Sequence, residues 1–412
     1  MSINKIHKCR NCKSKNIFKL IDFNKVPLAN NLVLSSKSKV SKFELELILC
    51  KSCFLVQTTK NIDRKKIFNS DYPYLTSTSS TANKNAFELY KYIKKKFDLK
   101  NKILFELASN DGYFLKNFLN EKKLNVIGIE PTPIPAKISK SKGIKTIKSF
   151  FGANLAKNLK KKYKSADLIV ANNVIAHLSN IHDFVKGMKI LLNKNGTIII
   201  EFQNFMEMVN KNLIDNVYHE HYFYYSLASI KNLLNKNGLK IYDAQKLNVH
   251  GGSLRIFVCH LNNETRETKS FKKMYHAEIK ESKNLNFYKK FQKNFVIMKK
   301  NINDFLKKNS HKKILGFGAA AKASTFINLF SIHKFDIKKI IDNAKSKQGK
   351  FIAGTKIQVV HPKNVDISKY DFIFIFAWNL KKEILKFIKN YYTKKNVCVV
   401  TFIPKIKIAK IK

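Results

Sequence analysis

The stretch that decides the fold is ILFELASNDGYFLKNFLNEKKLNVIGIE, residues 103–130. Its apolar start, residues 103–107, predicts a buried strand, and the polar residues 108–112 predict a tight loop. Residues 113–123 predict a helix, and residues 126–130 predict a second strand that ends on an acid. A strand, a small-residue turn, a helix and a strand ending on a carboxylate are typical of the front half of a nucleotide-binding α/β unit.

The loop of this unit indicates which ligand it binds. A dinucleotide fold uses G-x-G-x-x-G so that a pyrophosphate can sit on the helix N-terminus, whereas this loop contains only Gly112. Glu106 stands just before the turn, where a carboxylate repels a pyrophosphate but suits a cation. S-adenosylmethionine carries a sulfonium and an ammonium and no phosphate. We therefore expect Glu106, Asn110 and Gly112 to line its amino-acid end and Glu130 to hold its ribose; the alternative is an ordinary βαβ unit with a polar loop.

Composition indicates a large soluble protein. A chain of 412 residues with 44% hydrophobic content suits two or three globular domains. No apolar run reaches the roughly 18 residues that a membrane span needs. The polar, cysteine-containing N-terminus is unlike a signal peptide. These features favour a cytoplasmic protein that does not associate with membranes.

The net charge of +51 invites a nucleic-acid interpretation. Arginine, however, accounts for four of the 79 basic residues (Arg10, Arg64, Arg255 and Arg266) and lysine for the other 75. Arginine is the usual reader of bases and phosphates, so its scarcity argues against specific nucleic-acid binding. Lysine on solvated faces indicates instead an affinity for polyanionic substrates at low salt.

Four cysteines in the first 53 residues form two C-x-x-C pairs separated by 37 residues: Cys9, Cys12, Cys50 and Cys53. Two such knuckles supply four thiolates, which is the ligand set of structural zinc in a zinc ribbon. A disulfide pairing would conflict with a reducing compartment. Four protein ligands leave no open position on the metal, so we expect a structural and not a catalytic zinc.

Five further apolar runs follow the first unit and complete a predicted seven-stranded sheet. Their positions are 143–147, 166–173, 196–201, 239–244 and 254–260. The last two predict a hairpin, which closes the sheet of methyltransferases and not that of dehydrogenases. Asn172, Asn173 and His177 lie at or just beyond the end of the 166–173 strand, where such sheets bind ligands. A capping role for His177 is an equal alternative.

A second α/β unit follows a basic helical stretch at about 269–308. Gly316, Gly318 and Ala321 fit the looser G-x-G-x-x-A pattern, with Asp342 at the end of the next strand. This loop matches a phosphate-bearing nucleotide better than the first loop does, and Lys322 beside it suits a diphosphate, although it is also one lysine among 75. The alternative function is therefore a nicotinamide-dependent oxidoreductase that uses this loop.

The tetrapeptide Tyr218-His219-Glu220-His221 concentrates groups capable of acid–base chemistry. In an extended chain His219 and His221 would share one face, and Tyr218 and Glu220 the other. An imidazole with a pKa near 7 is a suitable general base. The alternatives are surface histidines, a helix cap, or a metal site built on the two histidines.

Several segments together resemble the S-adenosylmethionine-dependent C-methyltransferases of deoxysugar biosynthesis, which methylate a ring carbon of a nucleotide-linked keto sugar. The segments, in order, are the two cysteine pairs, 105–113, 128–132, 166–178, 218–221, 250–255, 316–322 and 377–380. The departures are Leu107-Ala108 in the cofactor loop and the proline-rich stretch 131–135.

The resemblance implies three domains: a zinc-ribbon-like domain at 1–70, a class I (Rossmann-like, seven-stranded) methyltransferase domain at 71–265, and a Rossmann-like α/β domain at 266–412 that binds substrate. It implies that His221 is the general base, with Tyr218, Glu220 and His177 assisting. The cofactor residues it implies are Glu106, Ala108, Asn110, Gly112, Glu130, Asn172 and Asn173. The substrate residues are Tyr72, Tyr74, His219, His250, Arg255, Gly316, Gly318 and Lys322.

The expected reaction follows from the acidity of a carbon beside a ketone. His221 would remove the proton, and Tyr218, His219 or His177 would donate to the enolate oxygen. The expected partners are a nucleotide-linked sugar and no nucleic acid, in a monomer or small homo-oligomer. A zinc-ribbon interaction protein with degenerate α/β domains is a further alternative, against which the intact Glu106, Glu130 and His221 argue.

Overall fold

The computed structural model describes residues 6–63, 67, 74–392 and 397–411. In this part of the chain the strands form three sheets of four, seven and six strands. The α/β class predicted from the sequence is confirmed, and so is the division into a cysteine-bearing N-terminal sheet and two Rossmann-like sheets.

The N-terminal sheet carries the cysteines. Strands β1 (Ile17–Pro27), β2 (Lys42–Cys50) and β3 (Val56–Thr58) are antiparallel neighbours. A fourth strand, β9 (Phe223–Tyr224), comes from the central part of the chain and pairs antiparallel with β3. The N-terminal sheet is thus continuous with the segment that follows Tyr218–His221.

The central sheet has the predicted seven strands. They are β4 (Lys102–Leu107), β5 (Leu124–Ile129), β6 (Lys145–Ile147), β7 (Ala166–Asn172), β8 (Leu192–Gln203), β10 (Leu239–Leu247) and β11 (Ser253–His260). Their order is β10-β11-β8-β7-β4-β5-β6, and β11 is antiparallel to both neighbours while the remaining pairs are parallel. This order, with a terminal hairpin, is that of a class I methyltransferase. The inner strands β4 and β7 are mostly apolar because helices cover both faces of the sheet, and Glu106 in β4 is an exception.

The helix predicted for residues 113–123 is wrong. The structure has one short 3-10 helix there, Leu115–Phe118, between irregular turns. The side chain of Asn117 donates to the carbonyl of Phe114 at 2.8 Å and competes with helical hydrogen bonding. Residues 113–115 are consecutively buried, which a one-sided surface helix could not achieve.

The C-terminal sheet has six strands: β12 (Ile314–Phe317), β13 (Ile337–Ile341), β14 (Gln358–Val360), β15 (Phe372–Ile375), β16 (Cys398–Thr401) and β17 (Lys407–Lys410). Their order is β14-β13-β12-β15-β16-β17, and all pairs are parallel except β16 with β17. The glycine-containing loop that begins the first crossover of this sheet therefore follows a central strand, β12, as in a Rossmann fold.

The α-helices of the described residues mostly cover the two parallel sheets. They span Ser80–Lys96, Pro133–Ser141, Ala153–Tyr163, Ile181–Leu191, Phe205–Asn210, Leu227–Lys236, Lys269–Lys283, Leu285–Lys308, Ala321–Leu329 and Lys381–Tyr391. The basic stretch is two helices that break at Asn284, whose side chain caps the second by accepting from the N–H of Asn286. Among the described residues, no helix combines the length and the apolar character that crossing a bilayer requires.

The hydrophobic cores are shared between the sheets. One core contains Cys9, Cys50 and Cys53 together with residues of the central sheet. A second joins strands β1 and β2 to the segment 205–217 and to the C-terminal sheet. Because all three parts pack on common cores, their surfaces meet around a single cavity above the carboxyl edge of the central sheet.

Candidate active site

The cavity has a volume of about 380 Å³ and lies where the central parallel strands end. Residues that directly follow β4, β5 and β7 line one side of it, including Ala108, Glu130 and Asn173. The C-terminal domain contributes Lys322, from helix Ala321–Leu329, and Lys347 to the lining. A ligand-binding site at this edge is what the sheet topology predicts.

His221 is held as a neutral imidazole with a defined tautomer. Its Nδ1 lies 3.0 Å from the backbone carbonyl oxygen of Asn216, and a carbonyl can only accept, so the proton is on Nδ1. Its Nε2 lies 2.9 Å from the hydroxyl of Tyr218, which donates to it. The lone pair of Nε2 is therefore the basic position of this side chain.

The surroundings of His221 lower its pKa well below the ordinary value. Burial is the largest cause, and the neighbouring His177 imidazole adds to it. The ring centroids of the two histidines are 4.7 Å apart. His221 is consequently unprotonated at neutral pH, which is the state a general base requires.

His177 is fixed in the same way. Its Nδ1–H donates to the backbone carbonyl oxygen of Glu220 at 2.9 Å, so its Nε2 is the unprotonated nitrogen. Burial lowers its pKa to about 4. Both imidazoles line the cavity with the same tautomer.

Tyr218 and Glu220 also line the cavity. Burial raises the pKa of Tyr218 well above its usual range, with the nearby Glu220 carboxylate as the second cause, so the phenol stays protonated and acts as a donor. The Glu220 carboxylate accepts from the side-chain amide of Asn30 at 2.6 Å. Asn30 belongs to the N-terminal domain.

The loop after β4 has the chemistry that a cationic ligand needs. Glu106 is buried, and neither of its carboxylate oxygens has a hydrogen-bond partner among the described residues. Burial, followed by the charge of Glu130, raises its pKa well above the ordinary value. An unpaired buried carboxylate is costly without a ligand, and an ammonium beside it would offset that cost. Glu106 and Gly112 lie beneath the loop and do not themselves line the cavity.

Glu130 does line the cavity and organises the same loop. One of its oxygens accepts from the N–H of Asn110 at 2.9 Å, and the other from the N–H of Thr132 at 2.7 Å. The oxygen bonded to the Thr132 N–H also accepts from the Thr132 hydroxyl, so the oxygen bonded to Asn110 is the one that retains a lone pair for a ribose hydroxyl. These two acids, Glu130 at the cavity and Glu106 buried beside it, fit the ribose hydroxyls and the cationic end of S-adenosylmethionine.

Twelve of the residues predicted from the sequence meet in this cavity. They are Tyr74, Ala108, Asn110, Glu130, Asn172, Asn173, His177, Tyr218, Glu220, His221, His250 and Lys322. Tyr72 lies outside the described residues. The others predicted for substrate lie elsewhere: His219, Arg255, Gly316 and Gly318 do not line the cavity.

His219 points away because residues 218–221 form a turn, in which the N–H of His221 donates to the carbonyl of Tyr218 at 3.0 Å. The predicted alternation of faces assumed an extended chain. The His219 Nε2–H donates to the carbonyl of Phe43 at 3.1 Å, in the N-terminal sheet. A metal site on His219 and His221 is therefore not formed; within the described residues, the group close enough to hold a metal is the cysteine cluster.

Arg255 has a structural partner. Its guanidinium pairs with the Glu201 carboxylate at 2.6 Å, and both side chains are almost fully buried between adjacent strands. Glu201 also accepts from the amide of Asn85 at 2.9 Å, and Asn85 lines the cavity. Arg255 thus neutralises Glu201 beneath the cavity and does not reach into it.

The glycine loop that follows β12 makes its contacts within the C-terminal domain. A Cβ at Gly316 would lie 2.9 Å from the side chain of Ile340, so this glycine serves strand packing. Asp342 accepts from the N–H of Ala319 at 2.9 Å and pairs with Lys347 at 3.2 Å. Asp342, the acid that would hold a ribose in a dinucleotide fold, accepts from loop N–H groups as Glu130 does, but it is also paired with a lysine.

Three contributors to the site carried no sequence signal. Asn30 lies about 190 residues from Glu220 in the chain. Asn216 acts on His221 through its backbone carbonyl, which any residue type could supply. Lys347 lies in a lysine-rich stretch and stands out only because it pairs with Asp342.

The four N-terminal cysteines fit a zinc ion. Their sulfur atoms all lie within 4.8 Å of one another, with 3.6 Å between Cys9 and Cys53 and 3.4 Å between Cys12 and Cys50. Tetrahedral ligands on zinc at roughly 2.3 Å would be separated by roughly 3.8 Å. None of the four is in a disulfide.

Three protein families match the chain in succession. A zinc binding domain matches residues 9–68, a methyltransferase domain residues 81–244, and a C-methyltransferase C-terminal domain residues 248–404. The chain is also similar to C-methyltransferase NovU of Streptomyces niveus, with 24% identity over 92% of this chain and 91% of that protein.

Solved structures of methyltransferases resemble part of the chain. A SAM-dependent methyltransferase from Anabaena variabilis has 16% identity and a TM-score of 0.37, covering 48% of this chain and 91% of its own. Magnesium protoporphyrin IX methyltransferase from Synechocystis with bound SAM has 11% identity and a TM-score of 0.34, covering 48% of this chain and 89% of its own.

The family matches agree with the site in position. The cysteine cluster lies in the zinc-binding match, the loop with Glu106 and the segment 218–221 lie in the methyltransferase match, and the second glycine loop lies in the C-terminal match. The matches identify the chain as an S-adenosylmethionine-dependent methyltransferase that acts on carbon, and its four N-terminal cysteines fit a structural zinc ion.

Proposed function

We propose that the enzyme methylates a ring carbon next to the ketone of a nucleotide-linked keto-deoxysugar. The observation that carries this proposal is the neutral His221 imidazole, whose proton is fixed on Nδ1 and whose unprotonated Nε2 belongs to a ring that lines the cavity. A carbon acid needs such a base, whereas an amine or thiol acceptor needs less help. The resemblance to sugar C-methyltransferases agrees with this assignment.

In this mechanism the Tyr218 hydroxyl turns from His221 Nε2 to the ketone oxygen of the bound sugar, which frees the Nε2 lone pair to accept the proton of the ring carbon. The Asn216 carbonyl accepts from Nδ1–H and stabilises the imidazolium that results. Tyr218, a protonated phenol at the cavity, is positioned to donate to the ketone oxygen as it gains charge. One such donor contributes roughly 2–4 kcal/mol. S-adenosylmethionine supplies the electrophilic methyl group when bound.

The lysines of the C-terminal domain suit the nucleotide diphosphate. Lys322 and Lys347 line the cavity, together with Ala320 and Ala321 at the start of helix Ala321–Leu329. Lys322 Nζ also donates to the side chain of Asn216 at 3.0 Å, and the backbone carbonyl of the same residue orients His221. The lysines and the histidine pair therefore share one cavity, which would bring the sugar of a bound nucleotide sugar to the histidines.

The test is incubation with S-adenosylmethionine and a panel of nucleotide-linked 4-keto sugars, followed by mass spectrometry of the products. We expect the mass of one methyl group, and exchange of the ring hydrogen in deuterated water. His221→Gln should lower turnover by on the order of 10²–10⁴ while the affinity for S-adenosylmethionine persists. The exposed His311 provides the matched control, His311→Gln. Unchanged turnover in His221→Gln, or methylation of oxygen or nitrogen, would refute the proposal.

A further inference from the structure

The N-terminal domain reaches the cavity through Asn30. This residue lies in the turn that follows β1, and its side-chain amide donates to the Glu220 carboxylate at 2.6 Å. Its neighbour Ala29 is 3% exposed and anchors the turn. Asn30 is half-buried and is part of the cavity wall, so its position is open to the space that a substrate would occupy.

The turn is braced on its other side by the C-terminal domain. Val33 forms an antiparallel bridge with Phe351, whose carbonyl accepts from the Val33 N–H at 3.0 Å and whose N–H donates back at 2.7 Å. Asn30 therefore lies where all three parts of the chain meet. The turn that carries Asn30 is held by this backbone pairing, in which neither Val33 nor Phe351 lines the cavity.

Other contacts fix the same catalytic segment to the N-terminal domain. Arg10, between Cys9 and Cys12, donates to the carbonyl of Tyr222 at 3.0 Å, and its guanidinium lies 4.3 Å from the centre of the Phe223 ring. The N–H of Thr58 donates to the same Tyr222 carbonyl at 3.0 Å. The segment that carries His221 is thus anchored just after that residue.

Glu220 connects Asn30 to the histidine pair. Its side chain accepts from Asn30, while its backbone carbonyl accepts from His177 Nδ1–H at 2.9 Å. A displacement of Glu220 would move the group that sets the tautomer of His177. Because the side chain of Glu220 enters the cavity, its position also bounds the space for the substrate.

We propose that Asn30 is a positioning residue for methyl transfer, which makes the zinc-bearing domain part of the catalytic apparatus. Its amide holds the Glu220 carboxylate and, through that residue, His177. The turnover measurements that test this inference rest on the proposed function. The structural measurements rest only on the contacts described above.

The experiment compares Asn30→Ala and Asn30→Asp with Asn31→Ala, a change of the same residue type at the exposed neighbouring position. We expect turnover to fall about 10–100-fold in Asn30→Ala, in line with loss of one charge-assisted hydrogen bond. The affinity for S-adenosylmethionine and the zinc content should match those of the wild type in all three variants. Asn31→Ala should keep full turnover.

The pH dependence separates positioning from a merely structural role. In Asn30→Asp two carboxylates face each other at neutral pH and repel. At lower pH a shared proton lets one carboxyl donate to the other, so the activity of Asn30→Asp relative to the wild type should rise as the pH falls. The relative activity of Asn30→Ala should not change with pH. Parallel profiles for both variants would overturn the proposal.

Two measurements do not depend on the sugar. Amide hydrogen exchange of residues 219–223 should accelerate in Asn30→Ala, and the pKa of His177 measured by NMR should fall further below its ordinary value, because the hydrogen bond to the Glu220 carbonyl raises this pKa and would be weakened. If neither changes, Asn30 does not position this segment, whatever the turnover. If the wild type methylates no keto sugar, the proposed function fails, and these two measurements alone decide the role of Asn30.

Discussion

The two loops that follow the first strands of the two Rossmann-like sheets differ in how their acids are satisfied. The loop after β4 has a poor glycine motif, yet the buried Glu106 beneath it has no hydrogen-bond partner among the described residues. The loop after β12 has the better motif, yet Asp342 accepts from a loop N–H and pairs with Lys347. The loop with the weaker motif is the one prepared for a ligand.

This difference shows that the glycines of a loop indicate the path of its backbone and do not indicate which ligand the loop binds. Gly112 and Gly318 both have positive φ, 74° and 89°. Both allow a tight turn that a residue with a side chain would strain. The ligand is indicated instead by an unsatisfied buried charge, because such a group persists only where a partner of opposite charge binds.

A variant of Glu106 gives the strongest test of the contrast between the two loops. Glu106→Gln removes the charge that faces the ammonium, so we expect the affinity for S-adenosylmethionine to fall on the order of 10–100-fold by calorimetry. The same change relieves an unpaired buried carboxylate, so the free energy of unfolding of the ligand-free protein should rise. Equal affinity in variant and wild type would remove Glu106 from the cofactor site.

The glycines offer a matched pair of substitutions. In Gly112→Ala the new Cβ would lie 2.4 Å from the Ile144 Cδ1 and 2.8 Å from the Ser139 Oγ, whereas in Gly318→Ala it would lie 2.9 Å from the Ala377 Cβ. Both should lower stability by roughly 1–3 kcal/mol. Only Gly112→Ala should also weaken S-adenosylmethionine binding. A similar loss of affinity in both variants would show that the effect is global.

The pH dependence of cofactor binding sharpens the same contrast. The pKa of Glu106 is raised by burial, so its carboxylate gains a proton as the pH falls toward that value. We expect the affinity for S-adenosylmethionine to fall by at most about tenfold per pH unit on acidification, as one proton is taken up. In Glu106→Gln the acid limb due to this group should disappear. Calorimetry from pH 8 to pH 5.5 checks this.

As the pH falls, Glu106 should raise the free energy of unfolding, whereas the buried histidines should lower it. A carboxyl whose folded pKa lies above its unfolded value binds protons more tightly when folded, so its protonation stabilises the fold as the pH falls. His177, His219 and His250 have pKa values of about 4, below the ordinary 6.5, so below pH 6.5 the unfolded state binds more protons and stability falls. The difference in free energy of unfolding between Glu106→Gln and the wild type should therefore become smaller as the pH falls.

Much of the fold was predictable from local patterns. The apolar runs that became β4, β5 and β7 are short, bounded by polar turns and buried on both faces, and the cysteine spacing identified the metal ligands without any knowledge of the fold. The residues of Tyr218–His221 were found because they are adjacent in sequence.

The remainder depended on contacts that leave no local pattern. Asn117 diverts the segment after the first loop from a helix by bonding its own backbone, and periodicity does not report this. His219 was misplaced because a turn replaces the extended chain on which the alternation of faces depends. Asn30 and Glu220 are brought together only by the packing of two domains.

The smallest effect on cofactor binding is expected at Asp342. Its pair with Lys347 is about 15% exposed on either side and so mostly buried, and Asp342→Asn should lower stability by roughly 1–3 kcal/mol. It should leave the affinity for S-adenosylmethionine unchanged, because the carboxylate serves the C-terminal loop alone. Lys347, freed from its partner, should bind the phosphates of a nucleotide more tightly, by a few-fold at low salt. Titration with a nucleoside diphosphate measures this, and NAD provides the comparison ligand. If instead wild-type Asp342 holds a dinucleotide ribose, NAD should bind the wild type and lose affinity in Asp342→Asn, and the two loops would then be equivalent after all.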